Sequence, residues 1–155
     1  MIKLLKRVFS PEKKAVRLER KLQKAVATDS QPEILTRVSR LLTHLLHEKQ
    51  AQRLSDLIHA YAPKIEDFAA FDRQLSLGQL RAAVELLHQH EFHAAALLIC
   101  ERAGYDDKAI AILAKRGRAR DLAMWTTKDG LVDKAFLERT VELWETYQGD
   151  VGANL

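Results

Sequence analysis

Residues 78–116 read GQLRAAVELLHQH EFHAAALLICERA GYDDKAIAILAKR, three stretches of thirteen that begin at Gly78, Glu91 and Gly104. The same frame can be set at Gln52 and Ile65 upstream and at Gly117 and Gly130 downstream. Its sixth place holds Leu57, Ala70, Ala83, Ala96, Ala109, Leu122 and Ala135, always Ala or Leu. Its seventh holds Ile58, Phe71, Val84, Leu97, Ile110, Ala123 and Phe136, apolar throughout. A fixed period with one apolar stripe per unit describes short helices that stack, because no single unit can bury its own face. Thirteen residues divide into roughly ten of helix, about 15 Å long, and a short turn. Small sixth-place residues let helix axes approach, and the larger seventh-place residues fill the space between neighbours.

Turn residues support the same frame independently. Pro63, Gly78, Gly104, Gly117 and Gly130 fall at or beside unit boundaries, where proline stops a helix and glycine takes the left-handed conformation after its last turn. The boundary near Glu91 has neither residue. A helix running through from Gln79 to Ala103 is the alternative there, and a turn at His90 and Glu91 is preferred because it keeps the alternation regular. Beyond Phe136 the exposed positions Glu138, Arg139, Glu142 and Glu145 suit a terminal cap, and residues 149–155 are expected to form a disordered tail.

Two longer helices precede the repeat. Ser10, Pro11 and Glu12 form a helix start, with a capping hydroxyl, a first-turn proline and an acid at the positive end of the dipole. They predict a helix from Pro11 to Ala27. Thr28, Asp29, Ser30 and Pro32 repeat the signal, and Ile34, Leu35, Val38, Leu41, Leu42, Leu45 and Leu46 keep strict helical spacing. The expected architecture is all-α: a right-handed stack of short antiparallel helical hairpins, solenoid-like, over residues 28–148, preceded by a basic amphipathic arm over 1–27. The scarcity of glycine (six) and proline (three) in 155 residues, with 47% hydrophobic content, fits a helical fold with a real core.

The run Gly104 to Ala123, GYDDKAIAILAKRGRARDLA, together with AAVELL at 82–87 and AAALLI at 94–99, resembles the helical-hairpin repeats of clathrin heavy chain and related α-solenoids of trafficking coats. It is also similar in rhythm to tetratricopeptide repeats. The likeness covers roughly Gln52 to Glu142; two units here span 26 residues against about 34 in the tetratricopeptide repeat, whose Trp, Leu-Gly and Tyr signature is absent. The resemblance implies a scaffold for binding proteins and transfers no binding residue.

Charge is unevenly distributed. Residues 1–24 hold nine of the 25 Lys and Arg (Lys3, Lys6, Arg7, Lys13, Lys14, Arg17, Arg20, Lys21 and Lys24) and only Glu12 and Glu19 of the 21 acids. On a helix these cations recur at heptad steps, opposite Leu4, Leu5, Val8, Phe9, Val16, Leu18, Leu22 and Val26. Packing on the second helix with the charges in solvent is the preferred reading. The same arm can instead dock a partner or a second copy by its apolar side, lie on an anionic membrane, or hold nucleic-acid phosphates. Lys115, Arg116, Arg118 and Arg120 form a second cluster before a helix start, where amides and guanidiniums can hold an anion; an ordinary solvated turn explains the same residues.

Catalytic and metal chemistry find little support. His44 and His47 share one helix face and are expected in solvent beside Arg37 and Arg40. His88, His90 and His93 cluster at the doubtful boundary without a zinc-ligand spacing. Cys100, the only cysteine, sits in a core-like stripe, allows no internal disulfide and fits a reducing cytoplasm. Trp125 and Trp144 are expected as core anchors. No apolar run is long enough to span a bilayer, and no secretory signal is expected. The sequence therefore reads as a non-catalytic cytoplasmic scaffold without cofactor or metal. The candidate partner- or anion-binding residues are Lys13, Lys14, Arg17, Arg20, Lys21, Lys24, Arg116, Arg118 and Arg120; an adaptor for membrane or nucleic acid is the alternative.

Overall fold

The structure is a computed structural model that describes residues 11–76, 78–116 and 134–153. Eight helices pack against one another, and no strand occurs among the described residues. They are α1 (Pro11–Ala27), α2 (Gln31–His47), α3 (Ala51–Tyr61), α4 (Phe68–Gln74), α5 (Gln79–Gln89), α6 (His93–Ala103), α7 (Asp106–Arg116) and α8 (Lys134–Ala153). A single 3₁₀ turn, Ala62–Lys64, contains Pro63 and follows α3. Asp67 caps α4, its carboxylate accepting from the Ala70 amide at 3.0 Å. Residues 149–153, expected as tail, continue α8; glycines at 149 and 152 each cost about 1 kcal/mol against alanine, too little to end a helix by themselves.

Left-handed backbone marks five of the turns between helices. Positive φ occurs at Asp29 (54°), Lys49 (54°), Gly78 (82°), Glu91 (66°) and Gly104 (74°). The last three stand thirteen apart, so in this region the first place of the repeat is the left-handed residue of the turn between helices. At Glu91 its amide donates to the His88 carbonyl at 3.1 Å, and the Phe92 amide donates to the Leu87 carbonyl at 2.8 Å. Lys49 and Gln50 close α2 in the same manner, on Leu46 and Leu45. The turn preferred at His90 and Glu91 is therefore present, and glutamate bears the left-handed strain that glycine avoids.

The period is less general than the sequence frame. Helices α5, α6 and α7 each have eleven residues. Gln52, in contrast, lies one residue inside α3, and the unit set at Ile65 contains only the seven-residue α4. Between α3 and α4, the 3₁₀ turn with Pro63 and the capping Asp67, rather than a left-handed residue, shape the connection. Ala83, Ala96 and Ala109 are fully buried as the sixth-place rule requires, but Ala135 is exposed. Leu122 and Ala123 lie outside the described residues.

One hydrophobic core runs from Ala15 to Leu137. Helix α6 is its centre, since Ala95 to Cys100 are all at most 1% exposed. Such a helix, apolar all round, must be covered on every side, and α3, α4, α5 and α7 all touch it. Helix α2 reaches α3, α4 and α5, and α1 lies on α2. On the rim, charged groups tie α4, α5, α7 and α8 together. Tyr105 donates to Asp72 at 2.8 Å, Arg81 stacks 4.2 Å above the Tyr105 ring and donates to Asp107 at 2.9 Å, Arg139 pairs with Asp106 at 3.1 Å, and Lys108 pairs with Glu85.

Gly104→Ala should lower stability by about 1 kcal/mol, because nothing within 4 Å of the added Cβ obstructs it and the cost is backbone strain alone. Glu91→Gly should leave stability unchanged or raise it. Chemical denaturation of both variants checks the pair, with unequal signs at the two positions as the diagnostic.

Burial, reinforced by the bond to Asp72, pushes the Tyr105 phenol from 10.0 up to about 12. A raised pKa in the folded state means that its stabilisation is complete below pH 10 and is lost as pH climbs towards 12. The Cys100 thiol, pushed from 9.0 up to about 12 chiefly by burial, acts in the same direction. Tyr105→Phe should therefore flatten, without abolishing, the alkaline fall in stability, measured by denaturant midpoints across that window.

Candidate binding surface

Helix α1 divides into two faces because of what it packs on. Ala15, Leu18, Leu22 and Ala25 point into the core, at spacings of three and four that keep them on one stripe. Lys13, Arg17, Arg20, Lys21 and Lys24 are exposed on the other side. The preferred packing of α1 on α2 is what the structure has, with one correction to the face. Val16, assigned to the apolar side by its residue type, is 41% exposed among the cations, because Ala15 and Ala25 take the inward positions. Leu4, Leu5, Val8 and Phe9 lie outside the described residues.

His44 locks this orientation. It was expected in solvent beside Arg37 and Arg40; instead it is 7% exposed, and its Nε2–H donates to the Pro11 carbonyl at 2.9 Å. The reason is tertiary: His44 follows the buried pair Leu41 and Leu42 by one helical turn, and α1 covers that side of α2. His47, three residues on, is exposed. Arg37 pairs with Glu33 at 3.3 Å.

The cationic side of α1 faces α3 across a surface groove of about 580 Å³, lined by Lys13, Val16, Arg17, Arg20, Lys21 and Lys24 of α1 with Glu12 at one end and Arg53 of α3 opposite. Six cations thus face a single acid. Arg17, Arg20, Lys21, Lys24 and Arg53 form no ion pair with a described residue. This separates them from Arg81, Lys108 and Arg139, whose charges are neutralised at the rim. Arg53 was not among the expected binding residues; it stands 29 residues beyond Lys24 on another helix, and no local pattern signals that the fold brings it alongside. Lys14 is turned away from this groove and lines another, of about 540 Å³, with Arg40, Thr43 and His47.

A narrower crevice of about 330 Å³ adjoins the cationic groove and shares Val16 and Arg53 with it. Its walls come from α1 and α3, and Leu41 and Leu45 of α2 form its floor. Tyr61 closes one end, its phenol held above the usual value by burial and then by Glu19, with a hydrogen bond to Gln23 opposing the shift.

The remaining expected sites are not brought together here. Arg116 ends α7, Arg118 and Arg120 lie outside the described residues, as does Trp125, and nothing is described of the Trp144 side chain. Cys100 is fully buried, and its raised pKa makes it a poor nucleophile. His88 and His93 meet across the α5–α6 turn with Nδ1 atoms 3.1 Å apart, so one must donate and the other accept. Among the described residues no three or more His, Cys, Asp or Glu gather to hold a metal ion, and no helix is long and apolar enough to cross a membrane.

Comparison with protein-family models, with curated proteins and with solved structures found no match. The packed all-helical architecture is compatible with a helical repeat, and the likeness to clathrin-type and tetratricopeptide-like repeats rests on the residues that suggested it.

His44→Ala should destabilise the protein by about 1–3 kcal/mol, since it removes a buried side chain and the hydrogen bond that ties α1 to α2. Hydrogen exchange should place the loss first in the amides of α1. A uniform rise in exchange over all helices would contradict the local tether.

Proposed function

We propose that this chain is a non-catalytic interaction scaffold, built of stacked helical hairpins, that holds a protein partner on the outward face of α1. The observation that carries the reading is the row Arg17, Arg20, Lys21 and Lys24 on α1, joined by Arg53 of α3, none of which pairs with an acid among the described residues. A surface whose charges are already neutralised offers little to a partner. One whose charges remain open attracts an oppositely charged molecule and steers its approach. The packing of α1 on α2 supports the same reading, because its apolar side is occupied and its cationic side is held in a fixed orientation. The solenoid-like stacking rests on the thirteen-residue spacing of Gly78, Glu91 and Gly104 and on three equal helices in sequence. The proposal includes a cytoplasmic setting, supported by the single, buried cysteine.

The test is affinity capture from the native host with the full chain and with Arg17→Glu, Arg20→Glu and Lys24→Glu combined. All three residues are exposed, so the variant should keep its helical content and melting temperature. A defined set of proteins should be recovered by the wild type, weakened several-fold by raised salt, and lost in the variant. Recovery of the same proteins by both, or of nucleic acid or lipid alone, would overturn the reading.

A further inference from the structure

The cationic groove and the apolar crevice are one continuous surface, and their chemistry differs along its length. At the outer part, Arg17, Arg20, Lys21 and Lys24 stand at i, i+3, i+4 and i+7 on α1. This spacing presents them as one stripe. At the inner part the surface dips between α1 and α3 onto Leu41, Leu45 and Leu57, with Val16, Ala60 and Tyr61 at its sides. Val16 and Arg53 belong to both parts. We infer that this composite surface is a docking site for an acidic protein segment bearing an apolar anchor: carboxylates over the α1 cations, and the anchor side chain seated between α1 and α3. The inference rests on the scaffold reading and specifies its partner.

Three features favour that occupant over other anions. The first is Val16, which is exposed at 41% in the midst of cations; a purely electrostatic phosphate-binding face gains nothing from an apolar residue there, whereas a side chain lying across Val16 removes it from water. The second is the crevice itself. Duplex nucleic acid and a lipid headgroup layer present charge over a broad surface and place no apolar group where a narrow cleft could receive it, but a peptide side chain fits such a cleft. The third is polarity of direction. Glu19 and Asp56 flank the crevice, and Asp56 accepts from Gln52 at 3.1 Å. These acids disfavour a second carboxylate at the crevice mouth and confine the partner's acidic residues to the Arg17–Lys24 side. Arg53, at the junction, can pair with a carboxylate next to the anchor.

The experiment uses the full chain and two labelled synthetic peptides, one rich in glutamate with a single central leucine and one with serine in its place. Fluorescence anisotropy should show the leucine peptide binding about tenfold tighter or more, as burial of one leucine side chain implies. Ala60→Phe, at an exposed position on the crevice wall, should reduce the leucine peptide to the level of the serine peptide and leave the latter unchanged. Val16→Asn should narrow the preference in the same direction. Arg17→Glu with Arg20→Glu should weaken both peptides. Equal affinity of the two peptides, survival of the leucine preference in Ala60→Phe, or displacement of the leucine peptide by duplex DNA or phosphatidylserine vesicles at lower concentration than by unlabelled peptide would overturn the inference. Equal peptide affinities together with charge-dependent capture of proteins would overturn the anchor and leave the scaffold reading standing; capture that ignores the charge reversal would overturn both.

Discussion

The burial of α6 on every side is the constraint from which the rest of the fold follows. An eleven-residue helix is marginal on its own in water, and one whose residues from Ala95 to Cys100 are all apolar cannot show any face to solvent. It has to be surrounded, and α3, α4, α5 and α7 surround it. Alanine at 83, 96 and 109 permits the close approach that this requires. The neighbours are amphipathic because each has a side turned to α6 or α2 and a side turned outwards. The charged contacts among Asp72, Arg81, Tyr105, Asp106, Asp107 and Arg139 sit around this packing and orient its rim.

At the other end of the molecule the same logic produces a surface instead of a core. Helix α2 has more apolar area than α3, α4 and α5 cover, and α1 completes the burial through Ala15, Leu18, Leu22 and Ala25. Once that side is occupied, α1's cations have no choice but to face outward. His44 and the Pro11 carbonyl hold the helix at its start, so the charged stripe has a set position relative to Arg53. The candidate site is thus a consequence of packing on the opposite side of the same helix.

Much of this was legible along the chain. The Pro11–Ala27 helix and the leucine-rich α2 follow from start signals and helical spacing, and the turn at Glu91 follows from keeping the period of Gly78 and Gly104. What misled was the extension of that period to Gln52, where the left-handed residue is Lys49, and to Ile65, where Pro63 and Asp67 set a different connection, and the assignment of side-chain environment by residue type alone. Val16 is apolar and exposed; His44 is polar and buried. Both positions depend on which neighbouring helix lies above them, and periodicity along one helix carries no information about that.

Local chemistry by itself determined the helical class, the extent of α1, the helix boundaries marked by Gly78 and Gly104, the concentration of positive charge near the start of the chain and the core position of Cys100, because each depends on residues within a few turns of one another. Tertiary structure alone decided that Arg53 joins the α1 cations, that Lys14 leaves them, and that an apolar crevice opens beside the charged groove. Those relations link residues far apart in sequence, and they arise only when α1 and α3 settle on the same face of α2.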